Sequence, residues 1–236
     1  MYIVKKYKEL GFKNFWIRLF KKIHSNIRNF LFGKKKRIEY LLFLKNKSFT
    51  IISNNCFGGW IYQKYKIKYN SPTVGMFILA DDYIKFIKNL RYYINCPLHF
   101  IDPDDAHNVS WLENNVEKFR KYPIARIDDV DIHFLHAKSA EKAEEDWNRR
   151  KKRVDYKHIL VKFSMQNAWS EKNYKEFVDW DFPDENKLLF TTEVKYGKPY
   201  EILFKCDKGH DHTSDANYYK YVNLTKVINN MKETNI

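Results

Sequence analysis

The residues best suited to chemistry are gathered in Ser53-Asn54-Asn55-Cys56-Phe57-Gly58-Gly59-Trp60. Two amides, a thiol and two glycines at the end of an apolar run can offer backbone N–H donors to a phosphate or an oxyanion. Cys56 would stand at a helix start, where the positive end of the dipole favours a thiolate. The loop therefore suits phosphate binding through Asn54, Asn55, Gly58 and Gly59, or nucleophilic catalysis by Cys56. The plainer alternative is a turn in which the glycines allow close passage and Cys56 is a small buried hydrophobe.

A nucleophile needs a base, and Asp131-Ile132-His133-Phe134-Leu135-His136 supplies two histidines. Strand alternation places Asp131 and His133 on one face and His136 on the other, at the carboxyl end. His136 is then the base expected to face Cys56, with His133 second; each also has a structural reading. Arg149 and Arg150 could clamp a phosphate or carboxylate bidentately, or simply close a solvated helix end.

Metal chemistry has weaker support. Asp102-Pro103-Asp104-Asp105 follows an apolar run and offers Asp102 and Asp104 to a divalent ion, but Asp-Pro also opens ordinary turns. Asp128-Asp129-Val130-Asp131 is a second such set with no stronger claim. Cys206, His210 and His212 are too few, and too close in sequence, to close a zinc site. The expectation is no resident metal.

These groups require elements to hold them. Runs at 48–53, 73–79, 98–101, 130–135, 159–163, 187–191 and 200–204 read as strands; 60–65, the segment from Asp81, 139–153 and 170–180 read as helices. The helix over 139–153 has a Ser cap, acids early and bases late. The alternation predicts an α/β fold of three layers, a mainly parallel sheet covered by helices, with ligand sites beyond the carboxyl ends of the strands.

Ahead of this domain, taken as 48–236, lies an arm of residues 1–47. It carries fourteen of the 43 Lys and Arg residues and two of the 29 acidic ones, so +12 of the net +14 resides there. Phe12, Trp16, Leu19, Phe20, Ile23, Ile27, Phe30 and Leu31 recur at helical spacing, with Lys13, Arg18, Lys21, Lys22 and Arg28 mostly off that stripe and a stop expected near Gly33. Such an amphipathic basic helix, with the cations that follow it as far as residue 37, can lie on an anionic membrane surface through residues 12–37 or pack on its own domain. Nucleic acid is disfavoured, because the body is nearly neutral and carries no recognised binding motif. Three cysteines without a CxxC pair, no secretory pattern and no long apolar run lead to the expectation of a cytoplasmic protein, peripheral on the inner membrane face where the arm engages lipid.

The blocks SNNCFGGWIY, YNSPTVGMFI, DDYIKFIKNL, IHFLHAKSAEKAEEDWNRRKKRV and KLLFTT resemble, in this order, those of bacterial exopolysaccharide biosynthesis proteins. The resemblance covers about residues 38–205 and implies a role in capsule or other surface-polysaccharide assembly. It adds Ser71, Thr73 and Trp147 to the candidate substrate-binding residues; Asp102–Asp105 fall outside its blocks. The resulting expectation is a transferase acting at the membrane surface on a lipid-linked or nucleotide-activated sugar precursor, moving a glycosyl, acyl or phosphoryl group. The alternative is a non-catalytic membrane-associated scaffold of the assembly complex.

Overall fold

A computed structural model describes residues 16–17, 19–27, 31, 38, 42–204 and 215–236. Its centre is a four-stranded parallel sheet in the order β1-β5-β6-β7, from Thr50–Ser53, Ile159–Ser164, Lys187–Thr191 and Glu201–Leu203. The first three strands are buried along their whole length, as expected for a parallel sheet covered on both sides. Strand alternation divides their side chains between two cores. Ile51, Leu160, Leu188 and Phe190 pack with Phe57, Ile61, Tyr62, Leu224 and Ile228 on one side, whereas Ile52, Val161, Phe163 and Leu189 pack with Tyr83, Ile87, Tyr174 and Phe177 on the other.

The first face is covered by α1 (Phe57–Tyr65) and by α7 (Leu224–Asn230); the second by α2 (Ala80–Lys88), α3 (Leu90–Asn95), α5 (Ala140–Lys151) and α6 (Glu171–Asp179). The three-layer α/β reading is thus correct for the central sheet. Ser139 caps α5 through the Lys142 amide, and Ser170 with Asn173 forms a reciprocal capping box on α6. Tyr83 joins α2 to the sheet, its hydroxyl 2.9 and 3.0 Å from the carbonyl oxygens of Lys162 and Ile52.

The structure departs from the sequence reading in a second, antiparallel sheet, β2-β3-β4, of His99–Ile101, Ile124–Ile127 and Val130–His133. The runs at 98–101 and 130–135 belong to it and not to the parallel sheet. Its hairpin turns through Asp128 and Asp129, with Asp128 at φ 54°, a left-handed conformation that aspartate tolerates. The run at 73–79 forms no strand beyond a bridge from Phe77 to His133, because the segment serves two neighbours: the Ile78 amide bonds to Asn54 and the Ala80 amide to Asn167. A short helix, α4 (Val109–Asn115), packs Leu112 against Phe77, Tyr122 and Ile124 in a third core.

The arm's predicted helix lies partly outside the described residues. Residues 19–27 are helical, and Trp16, Phe20, Ile23 and Ile27 are exposed. No described helix is long and apolar enough to cross a membrane.

Candidate functional site

At the end of β1 the Asn-Asn-Cys loop is knitted into the protein. Asn54 is fully buried and its side chain extends the ladder, donating to the Ser164 carbonyl at 3.1 Å and accepting the Ser164 amide at 3.2 Å. Asn55 donates to Gln166 and to Asp215, and its carbonyl accepts the Phe57 amide and the Lys162 ammonium. The Gly58 amide donates to Ser53 Oγ. The first amides of α1, which a phosphate would have used, thus already have side-chain acceptors. The glycines serve contact: a Cβ at Gly58 would meet the Ile51 carbonyl oxygen at 3.3 Å, and one at Gly59 would meet Val74 Cγ1 at 3.0 Å.

Cys56 is half-buried with Sγ 3.9 Å from the Met76 carbonyl oxygen, and burial pushes its thiol up despite the charge of Lys162. That environment favours the protonated thiol. His136 lies beyond the end of β4, exposed, its backbone amide on the Gly75 carbonyl; no hydrogen bond joins it to Cys56 among the described residues. His133 is inaccessible, stacked on Phe77 at 4.4 Å between ring centroids, with Nδ1 3.4 Å from the Tyr122 hydroxyl. Ser71 and Thr73 are buried and bond each other, and Trp147 is buried against Phe134. Arg150 donates to the Val74 carbonyl and to Asp146, and the exposed Arg149 also pairs with Asp146. Cys56, His136 and Arg150 each bond to the 74–76 segment, at Met76, Gly75 and Val74 respectively, whereas His133 and Trp147 are buried in the cores.

Burial lowers His133 to a pKa of about 4, from an ordinary value of 6.5, with Asp131 only partly opposing. The folded protein holds this imidazole neutral, whereas the unfolded chain protonates it below pH 6.5. Stability is therefore full above that pH and falls as pH drops toward 4, by about 3 kcal/mol at most. Urea unfolding of wild type and His133→Gln should show their stability difference shrinking by about that amount between pH 7 and pH 4; a constant difference would contradict a neutral buried His133.

A different constellation is better placed for chemistry. Asp82, in the first turn of α2, is buried and lies 2.9 Å from Nδ1 of His107. Asp131, fully buried on β4, accepts the His107 backbone amide at 2.7 Å and binds Arg126 through both oxygens, at 2.7 and 2.9 Å; its own amide donates to Asp82 at 3.2 Å. His107 lines an open cleft of about 430 Å³ with Asp81, Lys85, Asn108, Lys172 and Glu176. Asn108, at φ 57°, turns the chain into α4 just after the histidine.

The electrostatics follow from this packing. Burial raises the Asp82 carboxyl, offset in part by its bonds from His107 and the Asp131 amide, with the Asp131 charge raising it further. Burial also acts to raise Asp131, but Arg126 and the His107 amide outweigh it and hold the carboxyl below its usual range. Asp82 as a carboxylate only accepts, which assigns the proton of His107 to Nδ1 and leaves the lone pair on Nε2. A positioned imidazole backed by a buried carboxylate is the arrangement of a general base.

Ligand atoms of Asp82, His107 and Asp131 lie within 4.8 Å of one another, so these three could also gather round a cation. Asp131, however, already accepts three donors from Arg126 and His107, and an ion would have to displace them. The set is better suited to orienting the ring. Asp102 caps the amide of Asp104, and Asp104 pairs with Arg120, so neither carboxylate is directed at a shared ion. Asp128 accepts from Tyr92, and Asp129 from Lys85 and Tyr93. Cys206, His210 and His212 lie outside the described residues.

A family model described as "Domain of unknown function (DUF1919)" matches residues 4–234, nearly the entire chain. The chain belongs to that family. It is also similar to a Haemophilus influenzae protein named "Uncharacterized protein", at 27% identity over 157 residues, or 66% of each chain. The chain thus spans just under two thirds of that relative's length. In the sequence of this DUF1919 member, Asp82 falls within the DDYIKFIKNL segment and Asp131 directly precedes the IHFLHA segment, whereas His107 lies between the two. Composition offered no cue to it: His107 is 25 residues from Asp82 and 24 from Asp131, and only the folding of β4 beside α2 brings the three together.

Proposed function

We propose that this protein is a transferase acting on a polysaccharide precursor at a membrane surface, with His107 as general base and Asp82 as the residue that orients it. The observation that carries the reading is the contact between the buried Asp82 carboxylate and Nδ1 of the cleft-lining His107. In the reaction, Nε2 takes the proton of an acceptor hydroxyl while its oxygen bonds to the electrophilic atom of the donor, whether glycosyl, acyl or phosphoryl. The donor's leaving group departs with the bonding electrons, and the imidazolium is stabilised by Asp82 and Asp131. Lys85 and Lys172 line the same cleft but are balanced there by Asp81 and Glu176, with Lys85 paired to Asp129 and Lys172 to Glu176, so the donor class, nucleotide-activated or lipid-linked, rests on the family likeness and not on the charge of the cleft.

The likeness to exopolysaccharide biosynthesis proteins supports the substrate class, and the exposed apolar residues of the basic arm support a peripheral place on the inner membrane face. The test is surface-polymer production in a host lacking the endogenous gene and supplied with wild type, His107→Gln or Cys56→Ala at equal abundance. Polymer lost with His107→Gln and kept with Cys56→Ala is the expected pattern. Polymer kept with His107→Gln rejects the base assignment and moves a non-catalytic scaffold to the front, a reading that the closed hydrogen bonding of the Asn54–Gly59 loop favours.

A further inference from the structure

The arm enters the body along α7: Asn229 donates to the Phe43 carbonyl at 2.8 Å and accepts the Lys45 amide at 2.9 Å. Beside this clamp runs a groove of about 970 Å³, lined by Ile38, Phe43 and Tyr219 as apolar or aromatic surface and by Lys45, Lys220 and Lys226 as cations. It is far larger than the cleft at His107 and shares none of its lining residues. Ile38 and Phe43 are more than half exposed, as is the neighbouring Leu42. Isolated exposed apolar residues are ordinary, but three of them beside three lysines, at the foot of a segment holding +12 of the chain's charge, form a mixed apolar and cationic surface.

We propose that this groove at the root of the arm docks the protein on an anionic phospholipid bilayer. Phe43, Ile38 and Leu42 would enter the headgroup region, and Lys45, Lys220 and Lys226 would meet lipid phosphates. Charge complementarity selects that occupant, since a groove with three lysines and an exposed aromatic rim is matched by an interface that is negative at its surface and apolar beneath. The inference rests on the membrane-surface reading and extends it from the arm to the folded body. Because Asn229 fixes residues 43 and 45 against α7, the groove sets how the body stands on the bilayer.

The full chain is incubated with sedimenting vesicles of phosphatidylcholine, with and without phosphatidylglycerol. Wild type should bind the vesicles containing phosphatidylglycerol and lose most binding without it. Each cation removed should weaken binding roughly fivefold, so Lys220→Gln with Lys226→Gln costs roughly twenty-five-fold; Phe43→Ser should also weaken it. Unchanged binding in the lysine variant, or equal binding to neutral vesicles, overturns the proposal, and the former outcome leaves attachment to the arm alone. Competition by soluble glycerol phosphate as effective as competition by vesicles overturns it too, pointing to a small-anion site. His107→Gln separates the two readings: vesicle binding without polymer production is expected of it, while a Lys220/Lys226 variant that binds vesicles normally sinks only the docking surface.

Discussion

Asp82→Asn should lower the rate of transfer about 10²–10⁴-fold while leaving the protein folded, the range spanned by a well-placed general base. The chemical reason is the tautomer. Asp82 accepts at Nδ1 and so keeps the His107 lone pair on Nε2; an asparagine that turns its NH₂ toward the ring draws the lone pair to Nδ1 and places the proton on the atom that must accept one. The fold should tolerate the change. Burial raises the Asp82 carboxyl, so its ionised form costs stability at neutral pH, and a neutral amide removes that cost while keeping one acceptor for the Asp131 amide.

Two readouts distinguish this role from a structural one. Nitrogen chemical shifts of the His107 ring should report the proton moving from Nδ1 to Nε2 in Asp82→Asn. Added imidazole should restore part of the polymer-forming activity of His107→Ala, measured in membranes from the complemented host. Unchanged tautomer and full activity in Asp82→Asn would leave the Asp82–His107 contact as a packing device joining α2 to the loop after the Asp102–Asp105 turn.

How much of this could be read in the chain varies with the physical signal. The parallel sheet and its helices were legible because Ile51 and Ile52, Leu160 and Val161, and Leu188 and Leu189 alternate into two cores and because Ser139 and Ser170 mark helix starts. The second sheet was hidden, since β3 is a four-residue run, Ile124–Ile127, containing Arg126, and its turn is Asp-Asp and not the Asn-Gly or Asp-Gly that announces a hairpin. The polar groups at the carboxyl end of β1 are plain in the sequence, where they read as a phosphate-binding or nucleophilic loop. The partners of Asn54 and Asn55 were not foreseeable, because they lie up to 160 positions away, whereas the Ser53 side chain bonds to its neighbours Asn55 and Gly58. The Asp82, His107 and Asp131 set lacked a spacing signature altogether. Asp81-Asp82 reads as one helix cap with a spare acid, yet it is the second carboxylate that turns inward and is 3% exposed.

The remaining question at the sheet's carboxyl edge is what the buried cation does there, and Lys162→Met should answer it with a loss of about 3–5 kcal/mol in urea unfolding. Lys162 is wholly inaccessible on β5, paired with the nearly inaccessible Asp215 and held by Asn55 and Ser164. Its ammonium sits over the rings of Phe57 and Phe190 at 5.3 and 4.9 Å. Burial lowers its pKa and Asp215 opposes that shift, so each charge is tolerable only because of the other. Methionine fills a similar volume but takes the cation away from a buried carboxylate, and a loss of this size is a large share of the total stability of a typical domain. Adding Asp215→Asn removes the stranded charge while keeping an amide for Asn55 and Ser164, so the double variant should be more stable than Lys162→Met alone; simple additivity would mean that the two charges do not depend on each other. The double variant then distinguishes the two candidate sites. If it folds and still supports polymer production, the Lys162–Asp215 pair is the clasp that holds the segment from Asp215 onto β5, and chemistry stays with Asp82 and His107. If it folds and production is lost, the end of β1 and β5 belongs to the working site.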